Sequence, residues 1–309
     1  MTDTPPTILC ATDLDRSGDD AARLATAYAK HVGGRLHLVH AVEDAVPFEA
    51  LDPHVRAAAE ALEERLRARH QAAEEKLDAL AIRCAGMVET KATLKAGRPW
   101  EVTLELAEQV DPELIVVGPH VRSESWAARV GERLLGTTAK RVVRHAQRRV
   151  LVASGDIEPA EKALQTGELR ILVGVDFAEG GAAALAEARR VGGDQATLVL
   201  AHVLQDPFAP GDQPIDWGKL RVEWTQQLEE RLGDSVRDLP NATEAHVGSG
   251  LPGAALAELA KEHDAQLITV GAHAGGRLSR FLLGSTAERV LVDAPVPVLV
   301  VPPAGEADA

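Results

Sequence analysis

Gly271 and Gly275, followed by Gly284-Ser285-Thr286, have the residue types and spacing that could hold a phosphate. Glycines let a backbone come close to an anion, and a helix start offers N–H groups without partners at the positive end of its dipole. An apolar run over 267–270 stops at Gly271 and reads as a buried strand. Residues 287–292 continue at helical spacing behind Ser285, which stands where a helix N-cap belongs. Pro295 and Pro297 close that helix, and 298–301 form a second buried strand. The same serine, with Glu288 three residues on, also satisfies the capping-box pattern. A glutamate folded onto the cap would place its charge where phosphate oxygens should go, with His273, Arg277 and Arg280 available to offset it. Both readings stand on the sequence.

A second group capable of chemistry is Asp176, at the end of the apolar run 170–175. A carboxylate there must find donors or lie at the solvent-facing strand end. It either meets a ligand or caps the turn leading into the helix that begins near Gly180. His40 and His202 close two other strands and read as satisfied strand-end residues. The eleven histidines show no ligand spacing such as HExxH, and neither Cys10 nor Cys84 has a paired spacing. The sequence therefore names no metal site, and no serine or cysteine stands in a nucleophile setting.

The elements that must position these residues occur twice. Thr7 to Asp13 echoes Arg170 to Asp176, Leu36 to His40 echoes Leu198 to His202, and Gly97-Arg-Pro99 echoes Gly250-Leu-Pro252. Leu114 to Gly118 echoes Leu267 to Gly271, and Leu134-Leu-Gly136-Thr137 echoes Leu282-Leu-Gly284-Ser285. Recurrence in one order marks a tandem duplication. Each copy alternates strand and helix, the pattern of a parallel sheet covered on both faces. The segment 154–167, with Pro159 and several charges, reads as the linker. Over 52–84 the apolar residues Val55, Ala59, Leu62, Leu66, Ala73, Leu77 and Leu80 form a helical stripe. That stripe either covers the sheet or offers a partner-binding groove.

A chain of 309 residues has room for two ordinary domains. Its formal net charge of −14 and 3% aromatic content argue against a nucleic-acid or anionic-membrane surface. With no apolar leader and no run long enough to span a bilayer, a cytoplasmic protein is expected.

The glycine and strand pattern resembles the universal stress protein family. Its ATP-binding members carry glycine, two residues, glycine, nine residues, glycine and then serine or threonine. Gly271 and Gly284-Ser285 match; Ala274 replaces the middle glycine, and Gly275 lies one place later. The resemblance implies two flavodoxin- or Rossmann-like doubly wound α/β sheets, each of five parallel strands in the order 3-2-1-4-5, over 1–154 and 168–304. It also implies an adenine nucleotide, ATP or another, in the second copy. Asp176 and the Val203 backbone would then face the adenosine, with Gly271, Gly275, Gly284, Ser285 and Thr286 around the phosphates. In the first copy Val121 takes the middle glycine's place and the loop is longer, so nucleotide binding there is not expected; Lys140, in the acidic capping position, either favours an anion or is a solvated lysine. The implied function is a nucleotide-responsive stress regulator with at most weak ATP hydrolysis. The alternative is an interaction protein with a vestigial site and an unknown protein partner. The last strands, 150–152 and 298–301, are expected to pair as an internal pseudo-dimer, with homodimerisation also open.

Overall fold

The computed structural model describes residues 4–42, 56–119, 135–204, 217–237, 242–272 and 283–303. Two compact units divide the chain, residues 1–118 and 119–309.

The first unit holds β1 (Thr7–Ala11), α1 (Arg16–His31), β2 (Arg35–Val42), α2 (Arg56–Ala85), β3 (Thr90–Ala96), α3 (Pro99–Val110) and β4 (Leu114–Val117). Its strands are parallel: β2 lies between β1 and β3, and β4 flanks β1 on the other side. Ile8, Leu9, Cys10, Ile115 and Val116 are wholly buried. Strands apolar on both faces are what a sheet covered on both sides requires. In α2 the apolar stripe covers the sheet in its second half. There Ala73, Leu77, Leu80 and Cys84 are buried, whereas Leu62 is exposed. Val55 lies outside the described residues.

The second unit begins with α4 (Thr137–His145), β5 (Arg149–Val152) and α5 (Glu158–Thr166). It continues through β6 (Arg170–Gly174), α6 (Glu179–Gly192), β7 (Thr197–Leu204), α7 (Trp217–Arg237) and β8 (Ala242–Ser249). It ends with α8 (Pro252–Glu262), β9 (Leu267–Gly271), α9 (Ser285–Asp293) and β10 (Val298–Val301). From β6 onward the strands lie in the order β8-β7-β6-β9-β10, all parallel. Counted from β6, that is the order 3-2-1-4-5. Strand β5 pairs antiparallel with β10, Val152 opposite Val298 and Val150 opposite Val300, so the two last strands meet.

The segment read as a linker is ordered. It carries α5, with Ala160, Ala163 and Leu164 buried. Pro159 in its first turn suits a helix start, because the N–H that proline lacks has no helical partner there. Gly167 ends it in a left-handed conformation, φ 81°. Before it, Gly155 at φ 63° sits so close to Pro295 that an added Cβ would lie 2.0 Å from the Pro295 carbonyl oxygen.

Candidate functional site

Strand β6 is the switch point of the second sheet, because the chain leaves it toward β7 on one side and returns as β9 on the other. Ligands of open α/β sheets bind outside the carboxyl ends of strands at such a point. Asp176 lies two residues beyond β6. Its Oδ1 accepts from the N–H of Ala178 and of Gly181, both at 2.9 Å. The capping reading of this aspartate holds, since it caps the start of α6 from a position beyond the carboxyl end of β6.

The first copy distributes this work differently. Asp15 is the N-cap of α1, accepting from Ser17 and Gly18. Asp13 instead accepts from the Ser17 hydroxyl at 3.0 Å and the Asp15 N–H at 3.3 Å. Ala178 holds the position matching Asp15 and cannot cap, so Asp176 takes over that role. Burial, with the hydrogen bond and charge of Asp15 added to it, pushes the Asp13 carboxyl above its ordinary range. Bonds from Ser17 and the Asp15 backbone act against that shift.

The residue after each strand-end aspartate is left-handed, Leu14 at φ 58° and Phe177 at φ 56°. Neither is glycine, and a residue held there carries about 1–3 kcal/mol of strain, a cost associated with functional loops. The Phe177 ring lies 4.9 Å from that of His202, and the Arg231 guanidinium stands 4.2 Å over its face. Both strand-end histidines are satisfied, as expected. His40 Nδ1 is 2.7 Å from the Thr12 carbonyl oxygen, and His202 Nδ1 is 2.7 Å from that of Val175. Val203 follows on β7, half-buried and opposite Gly248.

Gly271 ends β9 against the start of α6. An added Cβ would meet the Gly180 carbonyl oxygen at 2.7 Å and the Gly180 Cα at 2.8 Å. Gly118 repeats this approach in the first unit, 2.9 Å from the Ser17 carbonyl oxygen. Beyond Gly271, the Gly284 N–H donates to the Ala272 carbonyl at 2.8 Å, fastening the start of α9 to the end of β9. A continuous set of contacts thus runs from Asp176 through Gly181, Gly180, Gly271 and Ala272 to Gly284.

One local expectation is corrected. Gly284, not Ser285, is the N-cap of α9, with φ −63° and ψ 145°, and among the described residues no side chain caps the helix. Ser285 is its exposed first residue, and Thr286 is half-buried behind it. The capping box does not form because Glu288 turns to Lys140, with which it makes a hydrogen-bonded ion pair. That removes the expected conflict between the glutamate and an anion, and gives Lys140 a partner in place of solvent. Helix α4 is built alike, with Gly136 as N-cap and no side-chain cap. Gly275, with His273, Ala274, Arg277, Arg280 and Val121, lies outside the described residues.

Among the described residues no helix is long and apolar enough to cross a membrane. The described residues also bring together a group that the sequence did not reveal. Glu244 and His246 on β8 meet His263, the residue after α8. Their order along the chain matches no ligand motif; only the packing of α8 against the β8 edge joins them.

The family model described as universal stress protein family matches residues 6–154 and again 169–302. A universal stress protein of Mycolicibacterium smegmatis is 33% identical over 182 residues, 56% of this chain and 58% of the relative. One of Mycobacterium tuberculosis is 31% identical over 196 residues, 62% of this chain and 61% of the relative. The match thus spans about three fifths of the length of these curated relatives. The crystal structure of a universal stress protein from Archaeoglobus fulgidus superposes with TM-score 0.59 at 21% identity, covering 98% of both chains. A Pseudomonas aeruginosa protein described as functionally unknown gives TM-score 0.58 at 17% identity, over 97% of this chain and 93% of that one. At such identities the superpositions speak for the fold.

Proposed function

Since the chain belongs to the universal stress protein family, we propose that it is a nucleotide-responsive regulator whose second repeat binds ATP or another adenine nucleotide. The repeats are taken as 1–154 and 168–304. The reading assigns the adenosine to Asp176 and the Val203 backbone, and the phosphates to Gly271, Gly275, Gly284, Ser285 and Thr286. The observation that carries it is the α9 N-terminus: its N-cap is a glycine with no side chain to cap it, its nearby glutamate is neutralised by Lys140, and Gly284 ties it to the strand end beside Asp176. Free N–H groups at a helix start are suited to phosphate oxygens. Asp176 Oδ2 takes no part in the two capping bonds, which engage Oδ1. That oxygen faces a ribose hydroxyl in this reading.

The role is binding rather than turnover. Among the described residues, no side chain in the set is a general base placed for phosphoryl transfer and no carboxylate pair is placed there to hold magnesium. Calorimetric titration of the full chain with ATP and with ADP tests the proposal. Binding at one site per chain, abolished by Gly284→Val and tightened by Ala274→Gly, is the expected result. If the wild type gives no heat and Ala274→Gly restores none, the site is vestigial and the chain acts as a nucleotide-independent interaction protein.

A further inference from the structure

Glu244 and His246 are two apart on β8, so their side chains leave the same face of the strand. His263 reaches that face from the end of α8, where its N–H bonds the Leu259 carbonyl at 3.0 Å. The three side chains are partly exposed, His263 least, at 17%. Glu244 Oε1 is occupied by the Arg170 guanidinium at 2.5 Å. The other oxygen, Oε2, lies 2.9 Å from His263 Nδ1 and 3.3 Å from His246 Nε2. The two imidazoles stand with centroids 3.9 Å apart and planes tilted by 39°. One oxygen and two nitrogens therefore converge, all within 4.8 Å of one another.

We propose that Glu244, His246 and His263 form a binding site for one divalent transition-metal cation, zinc fitting best. Zinc–nitrogen and zinc–oxygen bonds of about 2.0–2.2 Å set neighbouring ligand atoms of a tetrahedral centre about 3.4 Å apart. Both separations from Oε2 fall short of that value, and the three ligand atoms lie within 4.8 Å of one another, so side-chain rotations that open the cluster around the ion complete the geometry. Two imidazoles with one carboxylate oxygen select zinc, cobalt or nickel over magnesium or calcium, which take oxygen ligands. Arg170 fixes the carboxylate so that it ligates through Oε2 alone, an outer-shell role. Each neutral imidazole coordinates through the nitrogen facing Oε2 and carries its proton on the other ring nitrogen, so binding to the neutral rings releases no proton. Three protein ligands leave the fourth position to water. The site depends only on residues of the second unit and is independent of the nucleotide reading.

Titration of the metal-free full chain with zinc chloride, followed by calorimetry, and with cobalt chloride, followed by visible absorption, tests the proposal. One zinc per chain and a cobalt spectrum of tetrahedral intensity are expected. His246→Gln and His263→Gln should each weaken zinc binding by at least about tenfold, the scale on which even outer-shell changes act. The exposed His70→Gln should leave it unchanged. Melting curves recorded without metal separate loss of ligand from loss of fold. The proposal is overturned if the wild type takes up no stoichiometric zinc, or if both glutamine variants, folded as the wild type is, bind it equally well.

Discussion

Replacing Gly271 by alanine should destabilise the second unit, while the same replacement at Gly233 should stabilise it. At Gly271 the new Cβ would lie 2.7 Å from the Gly180 carbonyl oxygen and 2.8 Å from its carbonyl carbon and Cα. Ordinary contacts of this kind lie near 3.5 Å, so about 0.7 Å of separation must be found. Neither side yields easily. Gly271 is held in β9 opposite Val301, and Gly180 lies in the turn pinned by Asp176 through Gly181. Only backbone is in the way, so no side chain can swing aside. Overpacking of this sort costs about 1–3 kcal/mol. At roughly 2–4 °C per kcal/mol for a unit of this size, the melting temperature should fall by about 2–12 °C. An added Cβ at Gly233, in α7, meets nothing within 4 Å. Alanine in a helix interior gains about 0.5–1 kcal/mol over glycine, so that variant should melt about 1–4 °C higher. Scanning calorimetry of the full chain reads both. A Gly271→Ala protein that melts at or above the wild-type temperature would refute the packing argument, as would two variants shifting in the same direction.

Asp13→Asn should leave the number of nucleotides bound per chain unchanged, since the proposed site uses the second repeat; measured loss of bound nucleotide would place a site in the first. The same variant should melt higher than wild type at neutral pH. A carboxyl raised above its unfolded pKa stabilises the fold when protonated and loses that contribution as pH rises, so the gain should shrink toward acid pH. His37, whose pKa burial and the charges of Lys91 and Arg35 lower from its ordinary 6.5, works in the opposite sense. Its neutral form is favoured in the fold, so its contribution is full above pH 6.5 and is lost as pH falls below it. Thermal melts at neutral and mildly acid pH should therefore show a smaller acid loss in His37→Asn than in wild type, and equal losses would dismiss the effect.

Much of the second sheet was legible because its strands are uninterrupted apolar runs closed by a small or acidic residue. Asp176 and Gly271 read as strand-end residues from such runs, but only the strand order implied by the family resemblance put their two strands side by side. What escaped was decided by competition between neighbours. Ser285 has the better capping side chain, yet Gly284 takes the N-cap because its N–H is bonded to Ala272, and Glu288 is drawn off by Lys140. Pro159 looked like a breaker, but proline breaks a helix interior and not its first turn. The capping by Asp176 followed from an alanine at 178, whose significance shows only beside Asp15 in the other repeat. The Glu244, His246 and His263 group depends on a helix end brought to an edge strand, and local spacing does not encode it.

The position of β5 has a practical consequence for anyone dissecting this chain. The repeat recorded in the sequence runs through residue 154, yet β5 is counted with the second compact unit and hydrogen-bonds to β10. What was copied and what coheres are therefore different lengths of chain. A scissor placed at the repeat boundary would leave the N-terminal piece carrying Val150, Leu151 and Val152, nearly inaccessible in the intact protein, on an unsatisfied strand. Such an edge recruits whatever strand is nearest, including its own copies. Insoluble fragments would then report a cut through paired strands, and say nothing against the soundness of the halves.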